Sequence, residues 1–144
     1  MREPFLMLGA MFAALGVCFG AFGAHGLKGR LGESLATWET AVFYQLIHAL
    51  AVVAVAVLIR SGTPLPGLRT VGWLFCVGIL LFSGSLYVLA LGGPPWFGPI
   101  TPVGGVAMVA GWLWLAWVAA RSARSARSAR SARSARSARS GGGA

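Results

Sequence analysis

The chain has 144 residues, of which 57% are hydrophobic and only 10% charged, with a formal net charge of +9. So apolar and charge-poor a composition excludes an ordinary soluble domain and predicts one small membrane domain. Seven of the twelve basic residues are arginines between Arg121 and Arg139, so the basic character belongs to a tail; without them five basic groups face three acidic ones.

Four apolar segments follow in chain order: Phe5 to Ala24, Ala41 to Ile59, Val71 to Leu91 and Pro102 to Ala120. Each contains no Asp, Glu, Lys or Arg and, as a helix, spans about 30 Å, the thickness of a hydrocarbon core. Backbone groups in lipid must be satisfied within the segment, so the pattern predicts an all-α, integral membrane four-helix bundle over residues 1–120 and a separate tail over 121–144.

The first segment reads as a packing helix. Gly16 and Gly20 form a G-x-x-x-G pair and Ala24 continues the four-residue spacing, which lets backbones approach closely. A signal peptide cut after Gly23 is the alternative, but the apolar run exceeds the usual h-region. His25 then marks the outer membrane boundary, and Gly26, Lys28, Gly29 and Arg30 carry the chain into water. Ser34 to Thr40 (SLATWET) is expected to form a helical turn or two at the interface, with Trp38 at headgroup depth.

In the second segment, YQLIHAL puts Tyr44, Gln45 and His48 on one side of a helix. His48 falls about 10 Å below the segment's start. An ionisable group inside a bilayer is costly and usually faces the bundle interior or a wet cavity. Gly62, Pro64, Pro66 and Gly67 make the next connection short and non-helical. The third segment brings Ser83, Ser85 and Tyr87 (SGSLY) into the outer half and stops at Gly92-Gly93-Pro94-Pro95. Thr101 is placed to cap the fourth, ahead of Pro102, and Gly104 to Gly111 gives that helix a glycine-lined face.

The tail repeats Arg-Ser-Ala from Arg121 and ends in GGGA. With no apolar residue larger than Ala it buries no core and is expected to be disordered in water. Its charge attracts anionic lipid at about 1 kcal/mol per basic residue near the surface. No aromatics are interleaved to stack on bases, so no specific nucleic-acid partner is expected. Arg2, Arg60, Arg69 and the tail lie on one side of the membrane and Lys28 and Arg30 on the other, which predicts both termini in the cytoplasm.

Cys18 and Cys76 lie at different depths, which argues against a disulfide, and with His25 and His48 they lack the paired spacing of a zinc site. Neither a metal nor another cofactor is expected. Glu3, Glu33 and Glu39 all lie outside the spans and no nucleophile with a base is identifiable, so no catalytic residue is assigned and an enzyme ranks last. The polar groups nevertheless share a depth: His25, Tyr44, Gln45, His48, Ser83, Ser85, Tyr87 and Thr101 all fall in the outer half. Two readings stay open. They line an outward-facing pocket for a small polar molecule, a lipid headgroup or protons, or they hydrogen-bond between helices at about 0.6 kcal/mol each and fix the bundle.

Four motifs, GAFGAHGL (Gly20 to Leu27), ETAVFYQLIHAL (Glu39 to Leu50), LFSGSLY (Leu81 to Tyr87) and ITPVGGVAMVAGW (Ile100 to Trp112), together resemble the small bacterial inner-membrane proteins of the YgdD-like family, domain of unknown function 423. The resemblance runs from about Phe5 to Ala120 and implies a four-span inner-membrane protein with no established activity. It draws attention to His25, Glu39, Tyr44, His48, Ser83, Ser85, Tyr87, Thr101 and Pro102. The arginine repeat departs from the family pattern. Residues and resemblance together lead to a binding or transport module, self-associating in the bilayer; the alternative is an accessory subunit docking another membrane protein through its glycine faces.

Overall fold

A computed structural model describes residues 4–141, and among these every regular element is helical. Helix α1 (Phe5–Phe22) runs into a π-helical turn (Gly23–Leu27), a single α turn α2 (Lys28–Leu31) and a 3-10 turn (Gly32–Ser34). Helices α3 (Leu35–Arg60) and α4 (Leu68–Ala90) follow, then a 3-10 turn (Pro95–Phe97) and α5 (Ile100–Gly141). Among the described residues four helical stretches, containing α1, α3, α4 and α5, are long and apolar enough to cross a membrane. The sharp reversals rest on glycine: Gly92 ends α4 at φ +79°, a backbone conformation that side chains other than glycine rarely adopt.

Neighbours in sequence pack as neighbours in space, α1 on α3, α3 on α4, and α4 on α5. Small residues set these distances. Along α1 a side-chain carbon at Gly16 would stand 2.7 Å from Leu46, and one at Gly20 would stand 3.3 Å from Val42. The α4–α5 approach is closer still, since a carbon at Gly104 would collide with the backbone of Leu81 and Phe82, while Gly111 admits the Phe75 ring. Lipid gives no hydrophobic drive for helix association, so such close backbone contact is what holds a bundle together. Toward the end that carries the 61–67 loop, Phe5, Val52, Val55, Val71, Phe75, Ile79 and Met108 form one core; Leu27, Leu31, Trp38, Val42 and Ala90 form a second at the other end. Leu6, Met7, Val17, Val106, Leu113 and Trp117 point outward, which suits an acyl-chain solvent.

Two local expectations change. Ala24 is exposed, and the buried residue at that level is Gly23. A second step of four residues carries Ala24 about 80° from Gly16, whereas a step of three brings Gly23 back to within about 20°. Trp38 is no headgroup anchor: Leu35 to Thr40 is the first part of α3 itself, and Trp38 is 4% exposed. Its indole fills the space that Gly23 leaves and donates to the Phe19 carbonyl at 2.9 Å. The repeat follows the last span as a continuation of α5, which runs to Gly141. Ala and Arg are both good helix formers, and continuation from a formed helix removes the cost of nucleation. Ala123 to Ser128 are all exposed.

Candidate functional site

The early start of α3 moves His48. It lies 13 residues after Leu35, about 20 Å along the axis rather than 10. There it is 5% exposed and meets Trp112, which lies 12 residues into α5. The Trp112 indole Nε1–H donates to His48 Nε2 at 3.1 Å. The other ring nitrogen, Nδ1, lies 2.9 Å from the Tyr44 carbonyl oxygen. Since Nε2 accepts, Nδ1 carries the hydrogen, and the hydrogen-bond network assigns the neutral Nδ1–H tautomer. The Phe75 ring packs against both His48 and Trp112. His48 is thus a tie between α3 and α5 with both nitrogens engaged.

Gln45, one turn earlier and 3% exposed, takes its partners from α1 and α4 instead. Its Nε2 donates to the Phe12 carbonyl of α1 at 2.8 Å, and the Tyr87 hydroxyl of α4 donates to its Oε1 at 2.9 Å. One amide therefore ties three spans. Above it, Phe19, Trp38 and Tyr87 form an aromatic cluster with ring centroids 4.7–5.9 Å apart.

Ser85 and Thr101 share a hydrogen bond of 2.7 Å between α4 and α5, and Ser85 also donates toward the Phe82 carbonyl. Thr101 thus serves as an interhelical partner rather than a cap. Ser83 is completely buried and its hydroxyl has no hydrogen-bond partner among the described residues. Tyr44 is 38% exposed, its ring stacked near His48 and tilted against Phe82. His25 is exposed on the π-helical turn. The eight residues grouped by depth are thus divided: Gln45 with Tyr87, His48 with the Tyr44 backbone, Ser85 with Thr101, and Ser83 and His25 apart. Depth places residues on a level but says nothing of azimuth, which is why the grouping separates.

Two participants escape the depth argument, the Phe12 carbonyl and Trp112. The carbonyl has no sequence signal. Trp112 stands at the level of His48 because α3 and α5 run in the same direction and both residues lie about a dozen positions from their helix starts, a match that depends on the early start of α3. A cleft of about 130 Å³ opens between α1 and α4, lined by Phe12, Leu15, Phe19, Ile79, Leu80 and Gly84 with Gln45 and Tyr87 as its polar members. His48 does not line it.

The orphaned Ser83 hydroxyl yields a direct prediction. With no partner, its burial costs about 1–3 kcal/mol, so Ser83→Ala is expected to leave the bundle as stable or raise its melting temperature in detergent. Marked destabilisation of Ser83→Ala would show that the hydroxyl is bonded in the working protein.

The fold and its polar ties define a small polytopic helical membrane bundle. The chain belongs to the family described as "Protein of unknown function (DUF423)", which matches residues 19–105, from late α1 into α5. It is 46% identical to the UPF0382 membrane protein SH2409 of Staphylococcus haemolyticus over 112 residues, covering 77% of this chain and 90% of that protein. It is 45% identical to the UPF0382 membrane protein YwdK of Bacillus subtilis, over 77% of this chain and 91% of that one. No solved structure matches. The chain is accordingly a membrane protein of unknown function, and the Arg-Ser-Ala repeat lies outside the family match.

Proposed function

We propose that the protein is a binding module for an amphiphilic membrane molecule, taken into the cleft between α1 and α4. The molecule's apolar part lies against Phe12, Leu15, Phe19 and Leu80, and one hydroxyl, ester or amide group reaches Gln45 and Tyr87. The observation that carries this reading is unused hydrogen-bonding capacity in an otherwise apolar cleft. A primary amide offers two donors and an oxygen that accepts twice; Gln45 has one donor engaged by Phe12 and one acceptor position engaged by Tyr87. Polar capacity at the base of an apolar cleft favours a partner that brings the complementary group.

A proton carrier at His48 is the weaker form of the idea, because a proton on Nε2 would confront the Trp112 N–H. The accessory-subunit reading loses surface as well: Gly16, Gly20, Gly104 and Gly111 are filled by Leu46, Val42, Phe82 and Phe75 of the same chain. The proposal includes the cytoplasmic (inner) membrane with both termini in the cytoplasm. Arg60, Arg69 and the arginine repeat share one end of the bundle, and Arg30 is at the other.

The test is photolabelling of the full chain in nanodiscs with a lipid whose acyl chain carries a diazirine, followed by peptide mapping. Label is expected to concentrate on Phe12–Phe19 and Ile79–Tyr87. It should fall several-fold in Gly84→Leu, because a side chain at Gly84 enters open space in the cleft. Even labelling of every outward helix face, unchanged by Gly84→Leu, would overturn the proposal.

A further inference from the structure

At the opposite end of the bundle from Gln45 and Tyr87, a groove of about 370 Å³ lies between the 61–67 loop and α5. Its walls are Pro64, Pro66 and Val118, and its polar members are Arg121, Ser122 and Ser125. Arg121 is the first residue after the apolar run of the last span, so its guanidinium stands where hydrocarbon gives way to water. The guanidinium lies over the Trp117 ring, 5.1 Å from the centroid, which fixes its plane and leaves N–H edges for a planar or tetrahedral anion. The Ser122 hydroxyl makes only a long bond, 3.4 Å, to the Pro64 carbonyl, and Ser125 donates to the Arg121 carbonyl at 3.2 Å. Pro64 and Pro66 contribute no backbone N–H, so the free donor here is the arginine, and the two hydroxyls reach an anion by turning their single hydrogens away from the Pro64 and Arg121 carbonyls. Among the described residues the carboxylates are Glu33 and Glu39, both at the far end.

We propose that this groove binds the phosphate of an anionic membrane lipid, with Arg121 as its charged contact, Ser122 and Ser125 as hydroxyl contacts, and the chain running past Pro64 and Pro66. A lipid rather than a free ion is favoured because the polar rim sits beside the exposed apolar surface of Pro64, Pro66 and Ala126. The site is also distinct from the diffuse charge of the repeat. A three-residue period on an α-helix turns each successive arginine by about 60°, so Arg124 is turned from Arg121 and Arg127 points about 120° away from it. The inference stands independently of the cleft between α1 and α4.

Native mass spectrometry of the detergent-solubilised full chain, titrated with phosphatidylglycerol, phosphatidylcholine or inorganic phosphate, tests it. The wild-type chain is expected to retain phosphatidylglycerol in preference to phosphatidylcholine. Arg121→Gln should weaken that binding roughly tenfold, the loss of one charge-assisted hydrogen-bonding group, while Arg127→Gln, the same change in net charge, leaves it nearly intact. Arg121→Lys should fall between the two, and it makes the same comparison with Arg127→Gln if the glutamine variant fails to fold. Equal losses in the Arg121 and Arg127 variants would overturn the site in favour of diffuse attraction. So would equal retention of the two lipids, or displacement of phosphatidylglycerol by equimolar inorganic phosphate.

Discussion

Gly104→Val is expected to be the most damaging single substitution in the bundle, lowering its stability by about 3 kcal/mol. The reason is the nature of the obstacle. A side-chain carbon at Gly104 would strike the main chain of α4 at Leu81 and Phe82, and a helix backbone cannot rotate aside as a side chain can. Relief requires α5 to move off α4. That movement would also loosen Met108 against Gly78, Phe75 against Gly111, and the Ser85–Thr101 bond. The adjacent Gly105 supplies the control, since a carbon there meets the flexible Phe82 ring at 3.6 Å, an ordinary contact. Unfolding in mixed micelles, followed by tryptophan fluorescence, is expected to separate Gly104→Val strongly from Gly105→Ala. Coincident curves would mean that the α4–α5 seam is not where the bundle's stability lies.

Gln45→Leu is expected to cost about 1–2 kcal/mol. It removes both bonds that join α1, α3 and α4 and leaves the Tyr87 hydroxyl without its acceptor. Adding Tyr87→Phe to the leucine variant should restore part of the loss, because the orphaned hydroxyl goes with it. The double-mutant cycle should therefore show coupling between the two positions. The Phe12 carbonyl is less sensitive, since its place in α1 already supplies a backbone partner. Strictly additive effects would mean that the Gln45–Tyr87 bond does not form in the protein. Photolabelling of the same variants ties stability to binding: Gln45→Leu should also lower labelling of the cleft.

Much of the architecture could be read in one dimension. Runs free of charge and about 20 residues long can satisfy their backbone groups in hydrocarbon only as helices, so Phe5 to Ala24 and its three successors announced the spans. Gly92 and the prolines after it announced a stop. The burial of His48 and Gln45 likewise followed from polarity and helical phase. Azimuth and pairing did not. Nothing in the chain says that Gln45 turns toward α1 while His48 turns toward α5, or that Trp112 rather than Ser83 or Tyr87 receives the imidazole. The start of α3 was equally a tertiary matter, because Trp38 is polar enough at its indole nitrogen to suit an interface. It is buried only because Gly23 on another helix leaves room for it and the Phe19 carbonyl accepts its hydrogen. Local sequence determines which segments are helical and which side of each is small or polar; how the helices rotate to meet is decided by contacts between residues tens of positions apart, where a missing side chain on one helix sets the place of a large one on the next.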